Sequence, residues 1–208
     1  LLSICFNPLV SLPDTGFTQA ALEKLEFFGV VDFFLSETAQ HADVVLAGSL
    51  QEEEEGIVCS AEGRVLHIQK AVDPPGNARG DLLIYVDLAQ RLGKEKFFPY
   101  RNARDIFEEL REASRGGCAD YYGITYEKID ERMGVFWPCP TLDHPGTPRL
   151  FEGSRFFHAD GRARFVATEY RESGDPTNPE FPVYLTTGRV VSQYLSGTQT
   201  RRIGALVD

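Results

Sequence analysis

Clustered metal ligands are what this sequence most clearly lacks. Cys5, Cys59, Cys118 and Cys139 make no C-x-x-C pair and no C-x-x-C-H run, which argues against a zinc ribbon and a haem attachment site. A chain of 208 residues can bury a core without staples, so free thiols are the simpler reading of all four. Cys139 and His144 share the segment Trp137-Pro138-Cys139-Pro140-Thr141-Leu142-Asp143-His144, but two ligands are half of a structural metal site. His41 and His67 lie in strongly patterned segments and read as fold residues. No Ser/His/Asp or Cys/His arrangement marks a nucleophile. Positive charge is also scarce: 21 Lys and Arg against 31 Asp and Glu leave a formal charge of -10, which disfavours nucleic acid and anionic lipid as partners. No apolar run approaches the roughly 18 residues that a membrane span requires. The chain opens on Leu1-Leu2-Ser3-Ile4-Cys5-Phe6 without an initiator Met and closes soon after Arg201-Arg202. The expectation is a piece of something larger, or else a processed or engineered domain, and the missing leader leaves the compartment open.

What is present is patterned. Ile4 to Asn7 is a short apolar run ended by Pro8, and residues 21, 22, 25 and 28 carry apolar side chains at helical spacing around Thr18 to Phe27. Gly29-Val30-Val31-Asp32-Phe33-Phe34 is continuously apolar apart from its aspartate, as expected of a buried strand. Strand, helix, strand predicts a parallel-sheet unit. A short helix over Glu37 to Ala42 leads to a second buried strand, Asp43-Val44-Val45-Leu46. Between the strands, Ser36-Glu37-Thr38 stands at a carboxyl end, where open α/β sheets bind ligands.

Glu52 to Glu55 reads as a solvated turn, and Val58 to Ile68 as two extended pieces around Glu62-Gly63-Arg64. After the Pro74-Pro75-Gly76 break, Asp81 starts a helix with Ile84, Leu88 and Leu92 on one face and Gly93 as its stop. Asn102 caps the next helix, striped by Ile106, Phe107, Leu110 and Ala113 and ended by Gly116-Gly117. From about Gly116 to Asn178 aromatics, glycines and prolines dominate, with one helix over Thr125 to Met133. Strands are predicted at Arg162 to Val166 and Phe181 to Thr187. The fold class is α/β, divided into an incomplete parallel-sheet domain over 1–115, a connector over 116–178 and the start of a β-rich unit over 179–208.

Two places suit ligand chemistry. Thr186-Thr187-Gly188-Arg189 joins hydroxyls, a residue that permits close backbone approach and a guanidinium, a set fitted to oxyanions or a flat heterocycle. Gln193, Tyr194, Ser196, Gly197, Thr198, Arg201 and Arg202 follow closely; a polar hairpin explains them equally well. All five lysines lie at or before Lys128 and nine arginines follow it, which fits phosphate and planar rings or simple codon bias.

Val30 to Leu46, Glu53 to Arg64, the Pro74-Pro75-Gly76 turn and above all Leu185 to Arg202 (LTTGRVVSQYLSGTQTRR) resemble the large subunits of molybdopterin oxidoreductases, the dimethyl sulfoxide reductase family. The resemblance spans nearly the whole chain. Ala119 to Glu127, Gly134 to Pro140 and His144 to Phe151 are most similar to assimilatory nitrate reductases. Formate dehydrogenase catalytic subunits share parts of these, although their closing motif usually has His and Met where this chain has Gln193 and Gln199.

The resemblance implies a part of a cytoplasmic enzyme of nitrate assimilation, inactive in isolation. It implies a dinucleotide-binding-like domain and the first strands of a double-psi-type β-barrel. Its cofactor would be molybdenum held between two molybdopterin guanine dinucleotides, with an iron-sulfur cluster bound upstream of Leu1. The substrate would be nitrate, reduced to nitrite by oxygen-atom transfer, and the partner an electron donor protein or reductase subunit. Asp32 and Ser36 match positions that hold the guanine nucleotide, whose two adjacent N–H donors suit a carboxylate. Thr187, Gly188, Arg189 and Gln193 match the loop that contacts the pterin, with Thr198 and Arg201 beside them. No catalytic residue and no metal ligand falls within the chain under this reading, and part of its hydrophobic content should face surfaces outside it. The family usually has Pro at Ala47, Thr at Ile57 and Cys59, Asn near Ser60 and Trp at Leu82, so polar contacts of the 57–60 turn are the ones in question. The rivals are a formate dehydrogenase catalytic subunit and a non-catalytic electron-transfer or scaffold subunit that kept the fold.

Overall fold

Three short apolar runs must satisfy their backbone groups against one another, and they do so in parallel. In the computed structural model, which describes residues 1–206, β1 (Leu2–Ile4), β2 (Gly29–Asp32) and β3 (Val44–Ala47) form a sheet in that order. Leu2 stands opposite Gly29, and Gly29 and Asp32 stand opposite Val44 and Ala47. Parallel neighbours need a crossover. It is supplied by α1 (Pro8–Ser11), with proline at a first-turn position, and α2 (Thr15–Leu22). The second helix starts earlier than its apolar spacing suggests because Asp14 caps it, accepting from the Phe17 N–H at 3.0 Å. The stretch read as a helix over Glu37 to Ala42 is a 3-10 turn, Ala39–His41.

β2 is buried as expected, with Val30 and Val31 at 1% and 0% exposure. Val30 packs with Phe28 and Ala39, and Leu22 and Ala42 close over them. β3 is different. Its run was expected to be buried, yet Val44, Val45 and Leu46 are 43%, 38% and 41% exposed. Nothing among the described residues covers them fully, and the next backbone contact is a parallel bridge between Gly48 and Arg79.

The second sheet is antiparallel: β4 (Gly56–Cys59) pairs with β5 (Arg64–Ile68), and β6 (Val135–Phe136) pairs with β5. Gly63, at a φ of 86°, makes the tight turn between β4 and β5. The helices α3 (Asp81–Arg91), α4 (Ala103–Ser114) and α5 (Tyr126–Arg132) carry the ends read from sequence. Gly93 follows α3 with a φ of 65°, Asn102 accepts from the Asp105 N–H at 3.0 Å, and Thr125 accepts from the Lys128 N–H at 3.2 Å. The core beneath gathers Val65, Phe107, Ile124, Tyr126, Ile129, Val135 and Cys139.

Most of that core comes from a stretch read as part of a connector. Residues 116–150 pack into the first of two compact units, Leu1–Leu150 and Phe151–Asp208. Buried polar groups order them. Asp120 accepts from the N–H groups of Gly116 and Tyr122 at 2.7 and 2.8 Å. The buried Lys128 ammonium donates to the carbonyls of Gly123, Leu142 and His144 at 3.0, 3.0 and 2.5 Å. The acidic run is also more anchored than a solvated turn: Glu53 accepts from the Leu50 N–H at 2.9 Å, and Glu55 lies 3.3 Å from His67, whose other ring nitrogen meets Asp130 at 2.8 Å.

The second unit contains turns and three 3-10 segments, Glu152–Ser154, Thr200–Arg202 and Gly204–Leu206. The strands expected at Arg162 to Val166 and Phe181 to Thr187 do not form, and no barrel is present among the described residues. A strand without a partner leaves its backbone donors and acceptors unpaired. Phe165 and Leu185 are correspondingly 95% and 93% exposed. The last two residues of the span read as a barrel start, 179–208, lie outside the described residues.

Candidate functional site

The carboxyl end of the parallel sheet gathers polar groups. Asp32 ends β2, half-buried, and its two oxygens accept from the Ser36 hydroxyl at 2.9 Å and the Phe34 N–H at 3.3 Å. Ser36 is itself buried and accepts from the Ala39 N–H at 3.4 Å, so the hydroxyl is held in place. The two residues selected from sequence in this region thus meet directly. Around them, Thr38 donates to Asn7 Oδ1 at 2.6 Å and Asn7 donates to Glu37 at 2.9 Å, joining the loops after β1 and β2.

Three further residues at the strand ends were missed. Cys5 follows β1 in a left-handed conformation (φ 50°), Gly48 follows β3, and Asp81 opens α3 and accepts from the Cys5 thiol at 3.2 Å. Burial, the hydrogen bond to Asp81 and the nearby charges of Asp81, Asp32 and Glu54 push the thiol up to about 12. The carboxyl-end rule that selected Ser36 would have found Cys5 and Gly48 if applied to every strand. Asp81 carried no such signal, because its helix is remote in sequence.

The six residues selected from the second unit separate into two groups. Thr187, Gly188 and Arg189 lie on an exposed stretch. Gln193 and Thr198, both half-buried, and Arg201 belong to a cluster of turns. Gln193 donates to the Leu206 carbonyl and accepts from Thr200, each at 2.8 Å. The Thr198 hydroxyl lies 3.0 Å from that of Ser196, and the Arg201 N–H donates to the Gly197 carbonyl at 2.9 Å. The stretch 57–60, read as a turn, is the end of β4 and the residue after it; there Ser60 accepts from the Arg64 N–H at 3.2 Å and the Cys59 sulfur from the Trp137 indole at 3.2 Å. Among the described residues, no group of three or more His, Cys, Asp and Glu side chains is placed to hold a metal ion.

A parallel sheet with a fixed carboxylate and hydroxyl at its carboxyl end is the arrangement of a ligand-binding α/β protein. Residues 1–91, which contain this whole arrangement, match the family model for molybdopterin oxidoreductases, and the chain belongs to that family. It is 47% identical to the assimilatory nitrate reductase catalytic subunit of Bacillus subtilis (strain 168), over 99% of this chain and 29% of that protein. It is 41% identical to the F420-dependent formate dehydrogenase subunit alpha of Methanocaldococcus jannaschii, over 97% of this chain and 29% of that protein. The chain thus spans 29% of the length of these curated relatives. Acetylene hydratase from Pelobacter acetylenicus shares the fold, with a TM-score of 0.51 and 22% identity over 62% of this chain and 17% of that one.

Proposed function

We propose that this chain is part of the large subunit of a molybdenum-dependent nitrate reductase and that it contributes grip on a molybdopterin guanine dinucleotide cofactor. The observation that carries the reading is the 47% identity to an assimilatory nitrate reductase catalytic subunit along 99% of the chain, both ligand regions included. When bound, the molybdenum cofactor supplies oxygen-atom transfer, converting nitrate to nitrite with electrons relayed from an iron-sulfur cluster held outside this chain.

The residues present fit such a cofactor. A carboxylate offers about four lone-pair positions, and the two internal donors on Asp32 leave room for a guanine edge, which presents adjacent N–H groups. Ser36 fixes the carboxylate so that it does not have to be ordered on binding. In the second unit, Arg189 is the planar cation suited to a phosphate or a pterin face, with Thr187 and Gly188 allowing close approach. Gln193, Thr198 and Arg201 belong to the same proposed surface, and residues 179–208 are read as the start of a β-barrel domain. In this reading the enzyme works in the cytoplasm in nitrate assimilation and is served by an electron donor protein. Among the described residues, no helix is long and apolar enough to cross a membrane.

The identity to formate dehydrogenase alpha subunits favours a second reading, formate oxidation on the same cofactor. Assays of the complete polypeptide separate the two. Nitrate-dependent oxidation of a reduced dye, with molybdenum and guanine nucleotide in the purified protein, is the expected result. Formate-driven dye reduction without nitrate turnover decides for the second reading, and absence of molybdenum defeats both.

A further inference from the structure

Asp32 is held from both sides by backbone that belongs to neighbouring strands. Cys5, after β1, donates its N–H to the Val31 carbonyl at 3.0 Å, and Gly48, after β3, donates its N–H to the Asp32 carbonyl at 3.2 Å. One side chain bonds to the first flank and stands beside the second. Asp81 Oδ2 accepts from the Cys5 thiol at 3.2 Å, and Asp81 Oδ1 lies 3.3 Å from where a Cβ on Gly48 would stand. We infer that Asp81 is a positioning residue for Asp32, clamping the ends of β1 and β3 so that the carboxylate between them is presented to the nucleotide. This rests on the reading of Asp32 and Ser36 as the nucleotide end.

Three observations support the clamp. The segment entering α3 is tied to the same sheet edge, since the Arg79 N–H donates to the Ala47 carbonyl at 3.0 Å. The helix that carries Asp81 is therefore bound to β3 through backbone and to β1 through the carboxylate, with β2 between. Next, Asp81 Oδ1 is buried without a hydrogen-bond donor among the described residues. A buried acceptor without a donor opposes folding, so the placement of this carboxylate is not explained by stability. Finally, the thiol pushed up to about 12 keeps its proton at neutral pH, so Cys5 remains a donor to Asp81. The room for the clamp comes from Gly48. Its added Cβ would also stand 3.3 Å from Val31 Cγ1, leaving a methyl group little space without displacing Asp81.

The test uses the complete polypeptide with its cofactor. In Asp81→Ala, guanosine monophosphate released by acid hydrolysis after dialysis is expected to fall severalfold per polypeptide. Alkylation of Cys5 by a maleimide should quicken, because losing the Asp81 carboxylate eases ionisation of the exposed thiol. The melting temperature of the cofactor-free protein should hold or rise. Asp81→Asn, which keeps an oxygen for the thiol, should restore most of the nucleotide. Gly48→Ala disturbs the clamp with Asp81 still in place, should also lower nucleotide content, and decides the question if Asp81→Ala does not fold. Native nucleotide content in every folded alanine variant overturns the inference. So does a loss that Asn does not restore and that tracks a lower melting temperature of the cofactor-free protein. Asp32→Ala separates the two ideas: native nucleotide content there defeats the nucleotide-end reading itself, whereas loss there with native content in Asp81→Ala defeats only the clamp.

Discussion

Lys128 carries a positive charge into the first unit, where three carbonyl oxygens accept hydrogen bonds from its ammonium. Cys139 and His144, which from sequence could suggest half a metal site, meet around this ammonium instead: Cys139 Sγ lies 3.4 Å from it, and His144 contributes its backbone carbonyl. Lys128→Ala leaves those carbonyls without their donor and should cost about 3 kcal/mol or more, read by urea denaturation. Glu127 gives a test in pH. Its hydrogen bond from Arg104 lowers the carboxyl from the ordinary 4.5 to about 2. A depressed carboxyl contributes stability that is present above 4.5 and is lost as pH falls through about 2. The pair is exposed, so the contribution is small and screened by salt. Carboxyl NMR should show Glu127 titrating well below 4.5, and Arg104→Ala should raise it toward that value, with the backbone and Thr125 hydrogen bonds still lowering it. At the proposed cofactor surface, Arg189→Ala in the complete enzyme should lower molybdenum content while leaving the melting temperature of the cofactor-free protein nearly unchanged. Full cofactor content with full nitrate reduction would remove Arg189 from the site.

Elements with strong local signals were legible. α4 is a good case: Asn102 caps it as read, and Asn102→Ala should cost about 1 kcal/mol, read by denaturant titration. α3 and α5 likewise begin and end near the caps and glycines that mark them. The parallel pairing of β1 with β2 was legible because a helix lay between two apolar runs. Burial of β3 was not, since periodicity records which residues are apolar and not whether anything lies above them. The order in 116–150 was hidden for a different reason. It depends on long-range approach, such as Gly123 against the backbone of Thr141 and Cys139, where an added Cβ would stand 2.0 Å and 2.6 Å from their carbonyl oxygens. Gly123→Ala should therefore destabilise by about 3 kcal/mol, even though alanine restricts the unfolded chain more than glycine does, again read by denaturation.

For the whole molecule, exposed apolar side chains occur in both units. A groove of about 810 Å³ runs along β3 and α3, lined in part by Leu2, Phe27, Val44, Leu46, Ile84 and Leu88. Parallel sheets are ordinarily covered on both faces. If, as proposed, this chain is part of a larger subunit, it should bind a hydrophobic dye when produced alone and the complete subunit should bind much less; equal dye fluorescence per mole would count against cover supplied by the rest of that subunit. The net charge of -10 does not oppose the proposed polyanionic cofactor, because local donors, for which Arg189 is the proposed one, would meet it and not the overall field. By itself the sequence determined the α/β class, the Asn102 cap, the place of Ser36 in the loop after the second strand and the family resemblance, because each is written in local spacing or in contiguous motifs. It read Asp32 within a strand running to Phe34, whereas β2 ends at Asp32. Tertiary structure alone decided that Ser36 turns back onto Asp32, that Asp81 reaches Cys5 across the sheet and that Lys128 closes the 137–147 loop. Those contacts join residues between four and 76 positions apart through space, and no periodicity along a chain encodes where a side chain ends.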